Sequence, residues 1–252
     1  MLKNYFIIAW RNIFRQKIYS SLNIAGLTSG IIATLLILLY VQYEYSFDQF
    51  HAKKDRIYRI TREWVDENGN SELHLAQIAP PIGPLLKNDF EGIVENSARF
   101  LNARNSLLTA NEKPIREDAL YFAEESAFSI FSWDLIQGNT QSALTEPNSI
   151  VLSESLAKKY FNNTEEAIGK DLEFENFNVK VPMKITGIMK DIPENTHLRP
   201  AAIASFATVE NFFGKEALMR NYGSNNYPTY VLLEPEKTIS ELEKGIPDFI
   251  NK

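Results

Sequence analysis

The sequence holds no cysteine in 252 residues. Disulfides, thiol nucleophiles and cysteine-ligated metals are therefore excluded. Histidine is nearly as scarce. His51, His74 and His197 stand far apart in the chain, none in a metal-ligating spacing such as H-E-x-x-H, and each reads as a surface or hydrogen-bonded side chain. There is no G-x-x-x-x-G-K-[ST] phosphate loop, because Gly169-Lys170 is followed by Asp171, so nothing here is built to bind or hydrolyse ATP. Ser153 sits in L-S-E-S rather than G-x-S-x-G, and a helix N-cap role accounts for it. The pairs Glu124-Glu125 and Glu165-Glu166 are adjacent. Neighbours on a helix or strand point apart, so neither forms a two-carboxylate acid–base site, and both read as solvated charges. Phe128, Phe131 and Trp133 read as core. No catalytic residue, no cofactor-binding residue and no metal ligand is expected.

Acidic residues are also missing from the first 43 positions, which carry Lys3, Arg11, Arg15 and Lys17. Those four give residues 1–17 a charge of +4, which leaves −10 on the remainder of a chain whose net charge is −6. An acidic remainder argues against nucleic-acid binding. With 11 Pro and 11 Gly, the composition predicts no long disordered linker, and no internal repeat has a convincing period.

What is present is one long apolar run, Ile18 to Tyr43, 26 residues without Asp, Glu, Lys, Arg or His. As a helix it would be about 39 Å long, against the roughly 20 residues that span a bilayer. A helix apolar all round has no solvent face, so the run reads as a transmembrane helix over 18–43. Basic residues precede it, and Glu44 and Asp48 follow it. The N-terminus is therefore expected in the cytoplasm and residues after about 44 outside the inner membrane. The exit lacks small residues for signal cleavage. Trp10 and Tyr19 suit one interface, and Tyr40, Tyr43 and Tyr45 the other.

Residues 1–17 read as a basic amphipathic helix. Leu2, Tyr5, Phe6, Ala9, Trp10 and Ile13 follow helical spacing, with Lys3, Asn4, Arg11, Asn12 and Arg15 mainly opposite. Trp10, Arg11 and Arg15 are its membrane-surface residues; the alternative is that it prolongs the transmembrane helix inward. Within the apolar run, Gly26, Gly30 and Thr34 form a small-residue ridge where a second helix could approach closely.

The remaining 209 or so residues suffice for one sizeable domain or two small ones. Alternation predicts a strand over 57–65, a turn at Asn68-Gly69, a partner strand from Leu73, a helix from Pro80-Pro81 to about Phe90 and a strand over 93–101. Further strands are expected at 106–110, 115–123, 149–152, 171–177, 178–189 and 230–233. Helices are expected at 125–131, 153–161, 164–168, 208–217 and 238–251, the last kinked or split by Pro247 with Leu242, Ile246, Phe249 and Ile250 inward. The 192–198 segment reads as a loop. This is an α+β domain behind an N-terminal helix. By spacing alone, a transport subunit, an anchored sensor and an anchored hydrolase of unfamiliar type all remain open.

Several strings then carry a resemblance. The opening LKNYFIIAWRNIFRQKIYSSLNIAGLTSGI, the exit YEYSFDQFHAKKDRIYRI, and the later EPNSIVLSESLAKKYF, EEAIGKDL and ITGIMKDIPENTHL occur in the order found in MacB/FtsX-like ABC transporter permeases. The chain resembles that family from about residue 2 to 250. The resemblance implies a first transmembrane helix followed by a periplasmic core domain of two subdomains. Residues 57–101 and 230–252 would form the strand–helix subdomain, and 104–225 an inserted β-rich one, with the C-terminus truncated before its last strand. It implies no enzymatic activity in this chain, a separate cytoplasmic ABC ATPase subunit, a second permease copy in a dimer, a periplasmic partner and contact with membrane lipid. The function implied is transmission of ATPase-driven motion for export or release of a peptide, macrolide or lipoprotein. The competing expectation is a single-pass membrane-anchored extracytoplasmic sensor or ligand-binding protein.

Overall fold

A computed structural model describes residues 2–251, with side chains from Lys3 onward. Two compact units divide at Gln49 and Phe50. The first holds two helices, α1 (Leu2–Arg15) and α2 (Lys17–Tyr45). Gln16, at φ −110° and ψ 57°, interrupts the helical path between them, so the basic helix is separate and is not a straight extension of the apolar one. None of α2 is buried against protein.

The second unit is built on a sheet. In chain order it contains β1 (Ile57–Ile60), β2 (Arg62–Val65), β3 (Ser71–Leu75), α3 (Ile82–Asp89), β4 (Val94–Asn102), β5 (Ser106–Ala110), β6 (Lys113–Glu117), β7 (Leu120–Ala123), α4 (Ala127–Ile130), β8 (Leu135–Gln137), β9 (Ser149–Ser153), α5 (Glu154–Tyr160), β10 (Asp171–Asn176), β11 (Val179–Met189), β12 (Ala202–Ser205), α6 (Phe206–Phe213), α7 (Lys215–Met219), β13 (Thr229–Leu233) and α8 (Ile239–Ile250). Among the described residues eleven strands join into one sheet. It runs β1-β13-β4-β7-β12-β9-β11-β10-β5-β6, with β8 on the end of β11. The strands β2 and β3 form a separate hairpin.

The strands β9, β12 and β13 are buried along their whole length, as strands covered on both faces are. Along β13, Tyr230 and Leu232 enter a cluster with Phe100, Phe131 and Trp133, while Val231 and Leu233 enter another with Leu86 and Leu242 of α3 and α8. Along β9, Ile150 and Leu152 face a third cluster with Leu156 and Phe174, whereas Val151 faces the Trp133 cluster. The period of two thus sorts each strand between opposite layers.

Several expectations need correction. The single strand expected over 57–65 is two. β1 pairs with β13 as far as Ile60↔Thr229, where Pro228 ends the partner's donors, and β2 then pairs with β3 instead. The expected 115–123 strand also divides. β6 stays on the β5 edge, and β7 crosses to the sheet centre between β4 and β12. Pro247 does not split α8, which runs on to Ile250. The proline is exposed, so the carbonyl it orphans faces water. Ile250 is not inward but 73% exposed, because Phe249 takes the place beside Phe90, ring centroids 5.8 Å apart. The helix expected over 208–217 is two short helices divided at Gly214, φ 82°. The centrally placed β12 and the short β8 were not anticipated.

Candidate membrane-contact site

The α2 sequence makes a helix of one kind of surface. Its 29 residues carry charge only at Lys17 and Glu44, its two ends. Gly26, Gly30 and Thr34 recur at i, i+4 and so share one ridge. A Cβ added at Gly26 or Gly30 would meet nothing within 4 Å, and the Thr34 hydroxyl donates to the Gly30 carbonyl at 2.9 Å. The ridge is therefore flat, with its one hydroxyl satisfied internally, as a low-dielectric environment requires. At the far end the Ser46 hydroxyl and N–H both turn back to the Tyr43 carbonyl, capping the helix where the charged residues begin.

In α1, Phe6, Ala9, Trp10 and Ile13 line one side, and Asn4, Arg11 and Arg15 the opposite one. Every described side chain of α1 is exposed. Trp10 and Phe14 pack on each other with ring centroids 5.3 Å apart. Phe6, Ile7, Trp10 and Arg11 enclose a shallow notch on the border between the two sides.

The second unit brings together a cluster that sequence reading missed. Arg99 lies on β4, where that strand changes partner from β13 to β7, and its side chain is only 3% exposed. Arg99 Nε and Nη2 donate to Glu124 Oε1 at 3.1 and 2.6 Å, and its backbone N–H donates to Glu124 Oε2 at 2.9 Å. Nη1 donates to the Pro80 carbonyl at 3.0 Å. Glu210 Oε1 is 3.7 Å from Nη2, and the guanidinium lies over Phe206, 4.3 Å from its centroid. One cation thus ties the start of α3, β4, the end of β7 and α6. Gly83 packs closely here: an added Cβ would come within 3.0 Å of Thr229 Cγ2 and 3.1 Å of Arg99 Cγ. Glu124 is consequently not the solvated charge expected of it: its side chain is 23% exposed and committed to Arg99. The β4 sequence VENSARFLN mixes polar and apolar residues, so nothing local marked Arg99 out.

The remaining polar candidates are structural. Ser153 caps α5, accepting from the Leu156 N–H at 3.2 Å. Asp191 holds the same helix end, accepting the Ser155 N–H at 3.0 Å and the Ser155 hydroxyl. Partial burial opposes its ionisation, yet those hydrogen bonds, with one from Ser153, hold its carboxyl below the usual aspartate range. His51 Nδ1 accepts the Ser132 N–H at 3.1 Å, His74 Nε2 lies 3.0 Å from the Thr61 hydroxyl, and His197 Nε2 lies 2.8 Å from the Tyr230 hydroxyl. Among the described residues, no three His, Asp or Glu side chains gather as a metal site would need. Phe128, Phe131 and Trp133 are buried in the core.

Comparison with known proteins follows the same architecture. A domain of a protein described as a permease from Porphyromonas gingivalis superposes with a TM-score of 0.66 at 22% identity, covering 80% of this chain and 82% of that one. The periplasmic region of MacB from Actinobacillus actinomycetemcomitans superposes with a TM-score of 0.52 at 16% identity, covering 79% and 83%. At these identities the likeness is one of fold. No curated protein matches the chain. The family model for the MacB-like periplasmic core domain matches residues 20–249, from within α2 to the end of α8, and the chain belongs to that family.

Proposed function

We propose that this chain is part of the permease component of an ABC transporter of the MacB/FtsX type. The observation that carries the reading is the family match across residues 20–249, which joins the apolar helix and the sheet domain in one family unit. On this reading α2 spans the inner membrane with the N-terminus cytoplasmic. That orientation is supported by four cations up to Lys17, at the start of α2, and by the absence of any acid before Glu44 at its end. The domain that follows is periplasmic, and residues 57–101 with 230–252 move as one subdomain beside the 104–225 insertion. ATP is hydrolysed by a separate cytoplasmic subunit. Its closure shifts the membrane helices, and the periplasmic domain carries that shift to a partner for export or release of a peptide, macrolide or lipoprotein. A second permease copy packs on the Gly26, Gly30 and Thr34 ridge, where the exposed backbone allows close helix approach.

Purification of the protein from native membranes in mild detergent tests this. The expected result is a co-eluting ABC ATPase whose turnover changes with the permease present. Repeated isolation without any ATPase would instead favour the single-pass sensor.

A further inference from the structure

We infer that α1 is a binding surface for anionic phospholipid, with the headgroup held at the notch formed by Phe6, Ile7, Trp10 and Arg11. The inference rests on the reading of α2 as a membrane span and narrows it to one class of lipid. Three observations support it. First, the notch lies on the border of the two sides of α1, and three apolar residues and one arginine line it. That is the chemistry of the boundary between acyl chains and phosphates. Second, Arg15 follows Arg11 by four residues and Lys3 precedes Ile7 by four, so cations stand one turn to either side of the notch. Third, no carboxylate occurs before Glu44, so nothing on α1 or on most of α2 can neutralise these charges from within. Their complement must come from outside, and an apolar face beside them selects an anionic bilayer surface over a soluble anion. Trp10, braced by Phe14, fixes the depth of the helix at the interface.

The test uses the full chain reconstituted in vesicles of phosphatidylcholine and phosphatidylglycerol, with brominated chains on one or the other lipid. Trp10 emission is isolated as the difference between the protein and its Trp10→Phe variant. Brominated phosphatidylglycerol is expected to quench Trp10 with a several-fold higher association constant than brominated phosphatidylcholine. Arg11→Gln and Arg15→Gln should each lower that preference by about 5-fold, the worth of one cation at an anionic surface, while Arg11→Lys retains it. Sodium chloride should weaken the preference by screening. Equal quenching by both lipids would overturn the charge selection while leaving α1 at the surface. No quenching by either would overturn the placement of α1, and resistance of the chain to alkaline carbonate extraction would then show separately whether the α2 reading survives. Loss of the preference in sodium phosphate, but not in sodium chloride of equal ionic strength, would reassign the notch to free phosphate and overturn the inference.

Discussion

Arg99 carries the largest electrostatic liability of the sheet domain. Removing a guanidinium from water costs several kcal/mol, and it is tolerated only where partners fill its hydrogen-bonding positions. Glu124 and the Pro80 carbonyl do so here, and Glu210 adds a second carboxylate 3.7 Å away. The asymmetry of such clusters gives a direct expectation. Glu124→Ala leaves the buried cation under-compensated and should destabilise the chain by about 3–5 kcal/mol. Arg99→Met, similar in length and uncharged, leaves only two carboxylates with access to solvent and should cost clearly less. Guanidinium denaturation of the detergent-solubilised protein, followed by far-UV circular dichroism, would check the order of the two. Equal costs would mean that packing, not charge, dominates the site. This cluster was illegible from sequence because Glu124 finds its partner 25 residues away on another strand, a contact that no local spacing encodes.

Elements were legible where the local signal and the tertiary demand agree. The α2 helix, the turn at Asn68-Gly69 with Gly69 at φ 82°, and the Ser153 cap of α5 all follow from residues within one or two turns of each other. They failed where the partner decides. Nothing within 57–65 says that β13 runs out opposite Ile60, and the Ala-Ile-Ala-Ser of β12 is too short and too small to stand out, although every one of its residues is buried. The α5 terminus provides a quantitative check. Ser153→Ala should cost about 1 kcal/mol, as loss of an N-cap does. Asp191 adds a pH-dependent part. Because its folded pKa lies below the unfolded one, its stabilisation is complete above the ordinary aspartate pKa and is lost as pH falls through the folded value. The stability difference between the protein and Asp191→Asn should therefore be present at neutral pH and vanish in strong acid. A difference that grows on acidification would contradict the assignment. On α2, Gly26→Leu with Gly30→Leu should reduce association between copies several-fold, measured by cross-linking in detergent, whereas Leu27→Ala on another side of the helix should not. Unchanged cross-linking would remove the ridge from the dimer contact.

At the scale of the whole molecule, the division is between a helical unit in which no described residue is buried and a sheet domain that buries both faces of its central strands. Composition was enough to read this division, since the apolar run and the charge asymmetry are properties of long windows rather than of particular contacts. The absence of cysteine makes the arrangement directly measurable, because any introduced thiol is the only one. Asn4→Cys on α1 and Asn68→Cys in the β2–β3 turn can each be treated with a membrane-impermeant maleimide in intact spheroplasts. Labelling of position 68 in intact spheroplasts, with position 4 labelled only after permeabilisation, is the predicted result. Equal labelling of both positions before permeabilisation, or protection of position 68, would contradict a chain that crosses the membrane once between them.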